Sequence, residues 1–262
     1  MWQVPALSDN YVYLLNHKPS GTRLCVDPSE GEPIVAAIRE LGWPGVDIVL
    51  NTHWHPDHTA GNSAVKAMAL GTVVLGPRGS NGSPIEGVDV EVCGGAESPA
   101  VALADGTVVR VLDVPGHTLD HVAFHFAGDT AALFSGDALF PMGCGRLFEG
   151  TAAQMHKSLA AIAALPPDTR VFAAHEYSAA NAAFALTVDP GNAALRERAA
   201  VVAALRAVGM PTVPSLLADE LATNPFLRSH DAGVRAAVGM ADASKHSDAA
   251  VFAEVRLRKD AF

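Results

Sequence analysis

The sequence has few cysteines, fewer basic than acidic residues and no long apolar run, and each deficiency excludes a class of protein. Its net charge of −10 argues against nucleic acid as a partner, because phosphate binding needs a basic face. The three cysteines, Cys25, Cys93 and Cys144, include no Cys-x-x-Cys pair, which predicts a reducing compartment without disulfides. No apolar run reaches membrane length, and no apolar signal core follows the amino terminus. We therefore expect a cytoplasmic protein with no membrane partner.

What is present suits a globular chain. Hydrophobic residues make up 49% of the 262 positions, enough to bury a large core in one large or two smaller domains. The charge is uneven: residues 178–262 contain nine Lys/Arg and nine Asp/Glu, so the whole net charge falls on residues 1–177. The basic share of the carboxy-terminal segment suits an anionic ligand, although ordinary solvated helix faces with paired charges explain it equally well.

The most informative stretch runs from Thr52 to His58, where three imidazoles and one carboxylate directly follow the apolar run 48–50. In an extended segment His53 and His55 point the same way, so both can reach one cation. Asp57 and His58 come after a turn and can bind a second cation. Mixed histidine and aspartate ligands suit zinc, iron or manganese and argue against a cysteine-rich structural zinc site.

Three more candidate ligands follow apolar runs of the same kind. His117 follows residues 108–114, Asp137 follows residues 131–134, and His175 follows residues 170–174. Four strand ends would thus deliver ligands to one edge of a sheet. Seven ligands are enough for two metals that share a carboxylate. The complete predicted set is His53, His55, Asp57, His58, His117, Asp137 and His175.

The pattern of elements is rich in strands first and in helices last. Strands are predicted near 2–5, 10–16, 23–27, 46–51, 72–75, 106–114, 121–127 and 131–135, with one more ending at 174. Helices are predicted near 32–41, 62–69 and 151–165, the last opened by a capping box from Thr151 to Gln154. Further helices are predicted at 178–187, 192–208, 215–222 and 247–259. We expect a catalytic domain at 1–177 and a helical domain at 178–262.

These motifs give the sequence a family resemblance. It resembles the metallo-β-lactamase-fold hydrolases and, within them, the glyoxalase II (hydroxyacylglutathione hydrolase) family. The motifs that carry the resemblance are Asp9-Asn10-Tyr11, the His53 motif, Gly116-His117-Thr118, Ser135-Gly136-Asp137, Gly143-Cys144-Gly145-Arg146, Glu149-Gly150-Thr151, His175-Glu176-Tyr177 and Asn224-Pro225-Phe226-Leu227-Arg228. The last motif narrows the choice to glyoxalase II. The resemblance implies an α/β fold, an αββα sandwich followed by a small helical glutathione-binding domain.

The resemblance also implies a mechanism with two divalent metals per chain, zinc first, with iron or manganese as alternatives. One metal would be held by His53, His55 and His117, the other by Asp57, His58 and His175, with Asp137 bridging. Asp57 and Asp137 would serve catalysis by holding a metal-bridging hydroxide, which attacks the thioester carbonyl of S-D-lactoylglutathione to give D-lactate and glutathione. We expect a monomer.

Four residues match positions that contact glutathione in the family: Arg146, Phe148, Tyr177 and Arg228. Phe148 replaces a common tyrosine, and the lysine usually found soon after the Arg228 motif is absent, which favours weaker glutathione binding. The competing functions are a persulfide dioxygenase with one iron, a β-lactamase or other hydrolase of the same fold, and a non-enzymatic binder of glutathione conjugates. Asp27 either orients a ligand histidine or forms a turn, and this role stays open. His121 and His125 lie at alternate positions of one strand; His121 is a candidate support for a ligand, whereas His125 is better explained as a plain strand histidine.

Overall fold

The computed structural model of the chain describes residues 1–80, 84–95, 101–128 and 131–262. It divides by contacts into two compact units. Unit 1 comprises Met1–Asp113 and Thr118–Gly136, and unit 2 comprises Val114–His117 and Asp137–Phe262. This division follows contacts and is not the proposed domain boundary after residue 177, which stays a prediction.

The first sheet of unit 1 has six strands in chain order: β1 (Trp2–Ala6), β2 (Asn10–His17), β3 (Thr22–Val26), β4 (Ile48–Leu50), β5 (Val73–Gly76) and β6 (Val90–Glu91). The first three strands form an antiparallel meander, and β3 to β6 run parallel. Because parallel neighbours need crossover connections, helices lie in the sequence between β3 and β4 and between β4 and β5. They are α1 (Glu32–Glu40), α2 (Pro56–Thr59) and α3 (Asn62–Lys66). Ile34, Ile38 and Val65 of these helices share one core with Val49 of the sheet.

The second set of strands in unit 1 is antiparallel throughout. It comprises β7 (Val101–Ala102), β8 (Val108–Asp113), β9 (Val122–Phe126) and β10 (Ala132–Gly136), with each strand paired to the next. Tyr13 of β2 packs on Phe134 of β10, with ring centroids 5.3 Å apart. The amide of Val122 donates to the carbonyl of Thr52 at 2.9 Å, so the start of β9 lies beside the segment that follows β4.

Helices make up most of the regular secondary structure of unit 2. Its elements are β11 (Leu139–Phe140), β12 (Gly143–Cys144), α4 (Ala152–Ala163), β13 (Arg170–Ala173), α5 (Ser178–Val188), α6 (Ala193–Ala207), β14 (Ser215–Leu216), α7 (Leu217–Thr223), α8 (Ala232–Ala237) and α9 (Asp248–Asp260). The core includes Phe226, which stacks 6.2 Å from Phe184 of α5 and meets Phe252 of α9 edge-on at 5.6 Å. No helix among the described residues is long and apolar enough to cross a membrane.

Three comparisons with the predicted elements stand out in unit 2. The capping box is confirmed, since the Thr151 hydroxyl accepts from the Gln154 amide and the Gln154 side chain accepts from the Thr151 amide. The predicted helix start at Ser215 is wrong. Ser215 and Leu216 pair with Val171 and Arg170 as strand β14, and the helix begins at Leu217. Helix α8, capped by Asp231, was not predicted.

Candidate metal centre

The first group of candidate ligands follows β4 in unit 1. His55 is the N-cap of α2, whose single turn folds back so that the His58 amide donates to the His55 carbonyl at 3.0 Å. This turn brings His58 against His53, with ring centroids 4.0 Å apart. His53 Nε2 lies 3.0 Å from His55 Nδ1, and His58 Nε2 lies 3.4 Å from Asp57 Oδ2. All four predicted ligands of this motif therefore converge, and His53 and His58 are fully buried.

A buried carboxylate fixes one of these histidines. Asp27 Oδ1 accepts from the Thr52 amide at 2.8 Å, and Oδ2 accepts from the Thr52 hydroxyl at 2.7 Å. The same Oδ2 lies 3.1 Å from His58 Nδ1. Because a carboxylate only accepts, Nδ1 must carry the proton, which places the ring lone pair on Nε2, the atom near Asp57. Asp27 thus orients His58, a candidate ligand, which favours the first of the two roles that the sequence left open.

Other residues of unit 1 support the same segment. Asn10 Nδ2 donates to the Asp57 carbonyl at 3.1 Å and to Asp57 Oδ2 at 3.2 Å. His121 stacks on His53, with centroids 4.6 Å apart and planes 17° apart, so it lies against the ring of a candidate ligand. Sequence motifs had singled out Asn10 and His121 but had not placed their contacts, because these partners are far away along the chain.

Gly136 is required by its surroundings at the end of β10. Its φ is +50°, a region that residues with a Cβ rarely adopt. A Cβ at this position would also lie 2.4 Å from the Thr52 hydroxyl oxygen and 2.9 Å from the His121 ring. The glycine in the Ser135-Gly136-Asp137 motif therefore lets β10 end directly against the segment that carries the ligands.

The second group of candidate ligands lies in unit 2. Asp137 Oδ2 is 3.3 Å from His117 Nε2, and Asp137 Oδ1 is 3.4 Å from His175 Nε2. His117 Nδ1 donates to the Arg146 carbonyl at 2.9 Å, which leaves the lone pair of this ring on Nε2. All three ligands are buried. Each oxygen of the Asp137 carboxylate thus lies near a different imidazole, and the bridging role of Asp137 stays a prediction.

Aromatic and cationic side chains flank this second group. Tyr177 stacks on His175 at 4.8 Å with planes 3° apart, and Phe148 lies 5.1 Å from the His117 ring. Phe148 is 63% exposed and Tyr177 38% exposed, so both present surface beside a ligand. Arg146 is also exposed. Three of the four predicted substrate residues are therefore next to the ligand histidines or bonded to one through the backbone.

Arg228, the fourth, is placed differently. Its Nε donates to Asp189 Oδ2 at 3.3 Å, and its Nη2 donates to Asp231 Oδ2 at 2.7 Å. These bonds use two of the five guanidinium N–H groups and leave the side chain 18% exposed. Arg228 thus ties the end of α5 to the N-cap of α8, and its role towards substrate stays a prediction.

Two titratable groups of unit 2, Cys144 and Lys259, have shifted pKa values. Burial raises the pKa of the Cys144 thiol to about 11, so this cysteine is neutral near pH 7 and is neither a thiolate nucleophile nor a ready metal ligand. Burial, followed by the charges of Arg256 and Arg146, lowers the pKa of the Lys259 ammonium below its usual value. The charge of the exposed Arg146 therefore acts on Lys259, while Asp260 opposes the shift, and sequence spacing gave no means of finding this interaction.

Comparison with known proteins identifies the family. A model of the metallo-beta-lactamase superfamily matches residues 7–67 and 96–175, and a model of the hydroxyacylglutathione hydrolase C-terminus matches residues 176–262. A hydroxyacylglutathione hydrolase of Methylococcus capsulatus is 51% identical over 260 residues, which cover 99% of this chain and 97% of the relative. The chain belongs to the hydroxyacylglutathione hydrolase family. The predicted family, hydrolase class and α/β fold class are confirmed.

Solved structures agree on the fold. The BLEG-1 B3 metallo-beta-lactamase superposes with a TM-score of 0.62 at 20% identity, covering 86% of this chain and 98% of that one. A second protein, solved in a di-iron-bound form, gives a TM-score of 0.57 at 23% identity, covering 87% of this chain and 100% of that one. At these identities the likeness concerns the fold, an αββα arrangement in this superfamily.

Proposed function

We propose that this hydroxyacylglutathione hydrolase family member cleaves 2-hydroxyacylglutathione thioesters, S-D-lactoylglutathione among them, to a 2-hydroxy acid and glutathione. The observation that carries the proposal is Asp137, whose two oxygens each approach one ligand imidazole. The second support is the relative named for this activity, which is 51% identical to this chain over 260 residues. Water adds its oxygen to the acyl carbon, the carbon–sulfur bond breaks, and the thiolate takes up a proton.

The residues present fit a pair of divalent cations. Imidazole Nε2 atoms and carboxylate oxygens are the donors that zinc, iron and manganese accept, and Asp27 and the Arg146 carbonyl fix two of the imidazoles with Nε2 as the donor atom. We propose that His53, His55 and His117 hold one metal, that Asp57, His58 and His175 hold the other, and that Asp137 serves both. Zinc is the first candidate, with iron or manganese as alternatives.

When bound, the two cations would supply an activated water near neutral pH and positive charge for the developing oxyanion. The protein's own groups hold the reaction in place. Asp57 is fixed by the Asn10 amide, and Asp137 lies between two imidazoles, so neither catalytic carboxylate can rotate freely. Because a thiolate is a good leaving group, the residues need not supply a strong general acid.

Substrate recognition would lie with the exposed side chains beside the second ligand group. Phe148 and Tyr177 offer aromatic surface, and Arg146, near the half-buried Lys259, offers positive charge for the carboxylates of glutathione. Arg228 and the helical segment 178–262 are proposed to complete glutathione binding. A cytoplasmic location and a monomeric state stay predictions.

The direct test measures the loss of thioester absorbance when the purified, metal-analysed protein meets S-D-lactoylglutathione. We expect rapid hydrolysis with about two metals per chain. Asp137→Ala should abolish it, whereas Asp89→Asn, which removes a surface carboxylate paired with Lys66, should leave it unchanged. A fully metallated protein without thioesterase activity would reject the substrate. Oxygen uptake with glutathione persulfide and one iron per chain would replace the proposal with the dioxygenase.

A further inference from the structure

The hairpin formed by β11 and β12 connects two parts of the second ligand group. Asp137 lies two residues before β11, and Arg146, whose carbonyl holds His117, lies two residues after β12. The strands pair Leu139 with Cys144 and Phe140 with Gly143. Beyond them, the Gly145 amide lies 3.4 Å from the Ala138 carbonyl, and a Cβ at Gly145 would lie 2.0 Å from the Asp137 carbonyl oxygen. The position of this hairpin therefore sets both a ligand carboxylate and the orientation of a ligand histidine.

The tip of the hairpin has an unfavourable backbone. Its two turn residues are Pro141 and Met142, and Met142 has φ of +55°. A proline followed by a residue of positive φ is the type II arrangement, in which glycine is usual at the second position and a side chain is strained. Type II turns also splay paired strands, because their twist does not match that of a hairpin. Something outside the hairpin must hold this tip.

Side chains from the helical part of unit 2 hold the tip of the hairpin. Glu220 of α7, which is 0% exposed, accepts from the Met142 amide at 2.8 Å and is paired with Arg198 of α6. Asn224, also fully buried, donates to the Phe140 and Gly143 carbonyls at 3.2 and 3.0 Å.

Asn224 also bonds Glu220 at 3.1 Å, so the two side chains form one network. Further contacts hold the same tip. Asn181 of α5 donates to the Pro141 carbonyl at 3.2 Å, and the Met142 side chain is buried in a core with Ala185 and Leu195.

We infer that Glu220 and Asn224 are positioning residues for the metal ligands Asp137 and His117, and that they act through the 139–144 hairpin. The inference rests on the proposed function, since it takes both residues as ligands. On this inference the helical segment 178–262 also positions metal ligands, in addition to its proposed contact with substrate. Burying a carboxylate destabilises a fold unless the group is fully paired. The Glu220 carboxylate is paired with the backbone of the hairpin tip and not only with groups of the helices.

The test compares Glu220→Gln and Asn224→Ala with Leu217→Val, which removes a buried methylene from the same helix and, being apolar, removes no side-chain hydrogen bond. Each protein is stripped of metal and titrated with Co²⁺, while visible absorption reports the ligand geometry. Steady-state kinetics and melting temperature complete the set. We expect both test variants to bind Co²⁺ about tenfold more weakly, with shifted absorption bands. Their kcat should fall while KM stays within about twofold.

Leu217→Val should lower the melting temperature and leave the Co²⁺ affinity unchanged. If Glu220→Gln and Asn224→Ala behave like Leu217→Val in Co²⁺ affinity, spectrum and kcat, the inference is overturned and both residues only stabilise the fold. A wild-type protein that binds no Co²⁺ would overturn this inference and the proposed function together. A wild-type protein that binds Co²⁺ without hydrolysing the thioester rejects only the substrate, and the affinity comparison still decides the inference.

Discussion

Replacing Asp27 with asparagine tests how far one buried carboxylate controls the first ligand group. The carboxylate accepts three hydrogen bonds, two from Thr52 and one from His58 Nδ1. Asparagine keeps the shape and tolerates the φ of +50°, but its side chain ends in one carbonyl oxygen, which accepts, and one NH2 group, which only donates. In one orientation the amide faces His58, which must then move its proton from Nδ1 to Nε2. In the other orientation the amide faces the buried Thr52 N–H.

Both orientations have a calculable cost. A hydrogen bond to a charged group contributes about 1.5–3 kcal/mol, and a buried donor without an acceptor costs about 1–3 kcal/mol. We therefore expect Asp27→Asn to lower the free energy of unfolding by about 2–4 kcal/mol. The second orientation sets two buried donors against each other, so we expect the first. There the proton on His58 Nε2 would block that atom as a ligand, and metal affinity should fall by about 10–100-fold.

The assay is urea denaturation of the metal-free protein, followed by a Co²⁺ titration. Asp47→Asn is the matched control, because Asp47 also accepts from a backbone amide, that of Arg23 at 2.7 Å, but lies at the surface of unit 1. Equal Co²⁺ affinities for the Asp27 and Asp47 variants would refute the claim that Asp27 sets the tautomer of His58.

Three further predictions concern single residues. Gly136→Ala should lower the free energy of unfolding by about 1–3 kcal/mol in urea denaturation, because the new Cβ meets Thr52 at a strained φ; an unchanged midpoint would contradict this. Burial, with the nearby Arg110 charge, lowers the pKa of His125, so its neutral form stabilises the fold above about pH 6.5 and that contribution is lost as the pH falls through the lowered pKa. Between about pH 7.5 and 5.5 the wild type should lose more stability than His125→Gln, and parallel losses would refute the assignment. Arg228→Ala should raise KM more than it lowers kcat in thioester kinetics, and the reverse pattern would rule out a uniform binding role.

The candidate ligands could be singled out from the sequence because all of them lie soon after the end of a strand: four follow β4, and the other three follow β8, β10 and β13. Their role as metal ligands stays a prediction. Thr151 and Gln154 could also be singled out, since a capping box is local. Asp27 was ambiguous because its partners, Thr52 and His58, are 25 and 31 residues away. A turn-forming aspartate has the same local sequence.

The positioning network was beyond sequence reasoning. Glu220 contacts Met142 across 78 residues, and nothing near either residue indicates the pair. The error at Ser215 has a similar cause. Ser215 and Leu216 precede an amphipathic stretch, but pairing with β13, far back in the chain, turns them into strand. Local periodicity gives no information on pairing with a strand as distant in the sequence as β13.

The assignment of Val114–His117 to unit 2, while the residues on either side belong to unit 1, has a consequence for how this protein can be cut or built. The chain passes between the units three times, after Asp113, His117 and Gly136. A single proteolytic cleavage therefore cannot release either unit whole. During synthesis, four residues of unit 2 leave the ribosome before unit 1 is complete, so neither unit can finish folding as an uninterrupted stretch of nascent chain. Exchanging a complete unit 2 between relatives would need two separate segments of sequence, with His117 travelling in the shorter one.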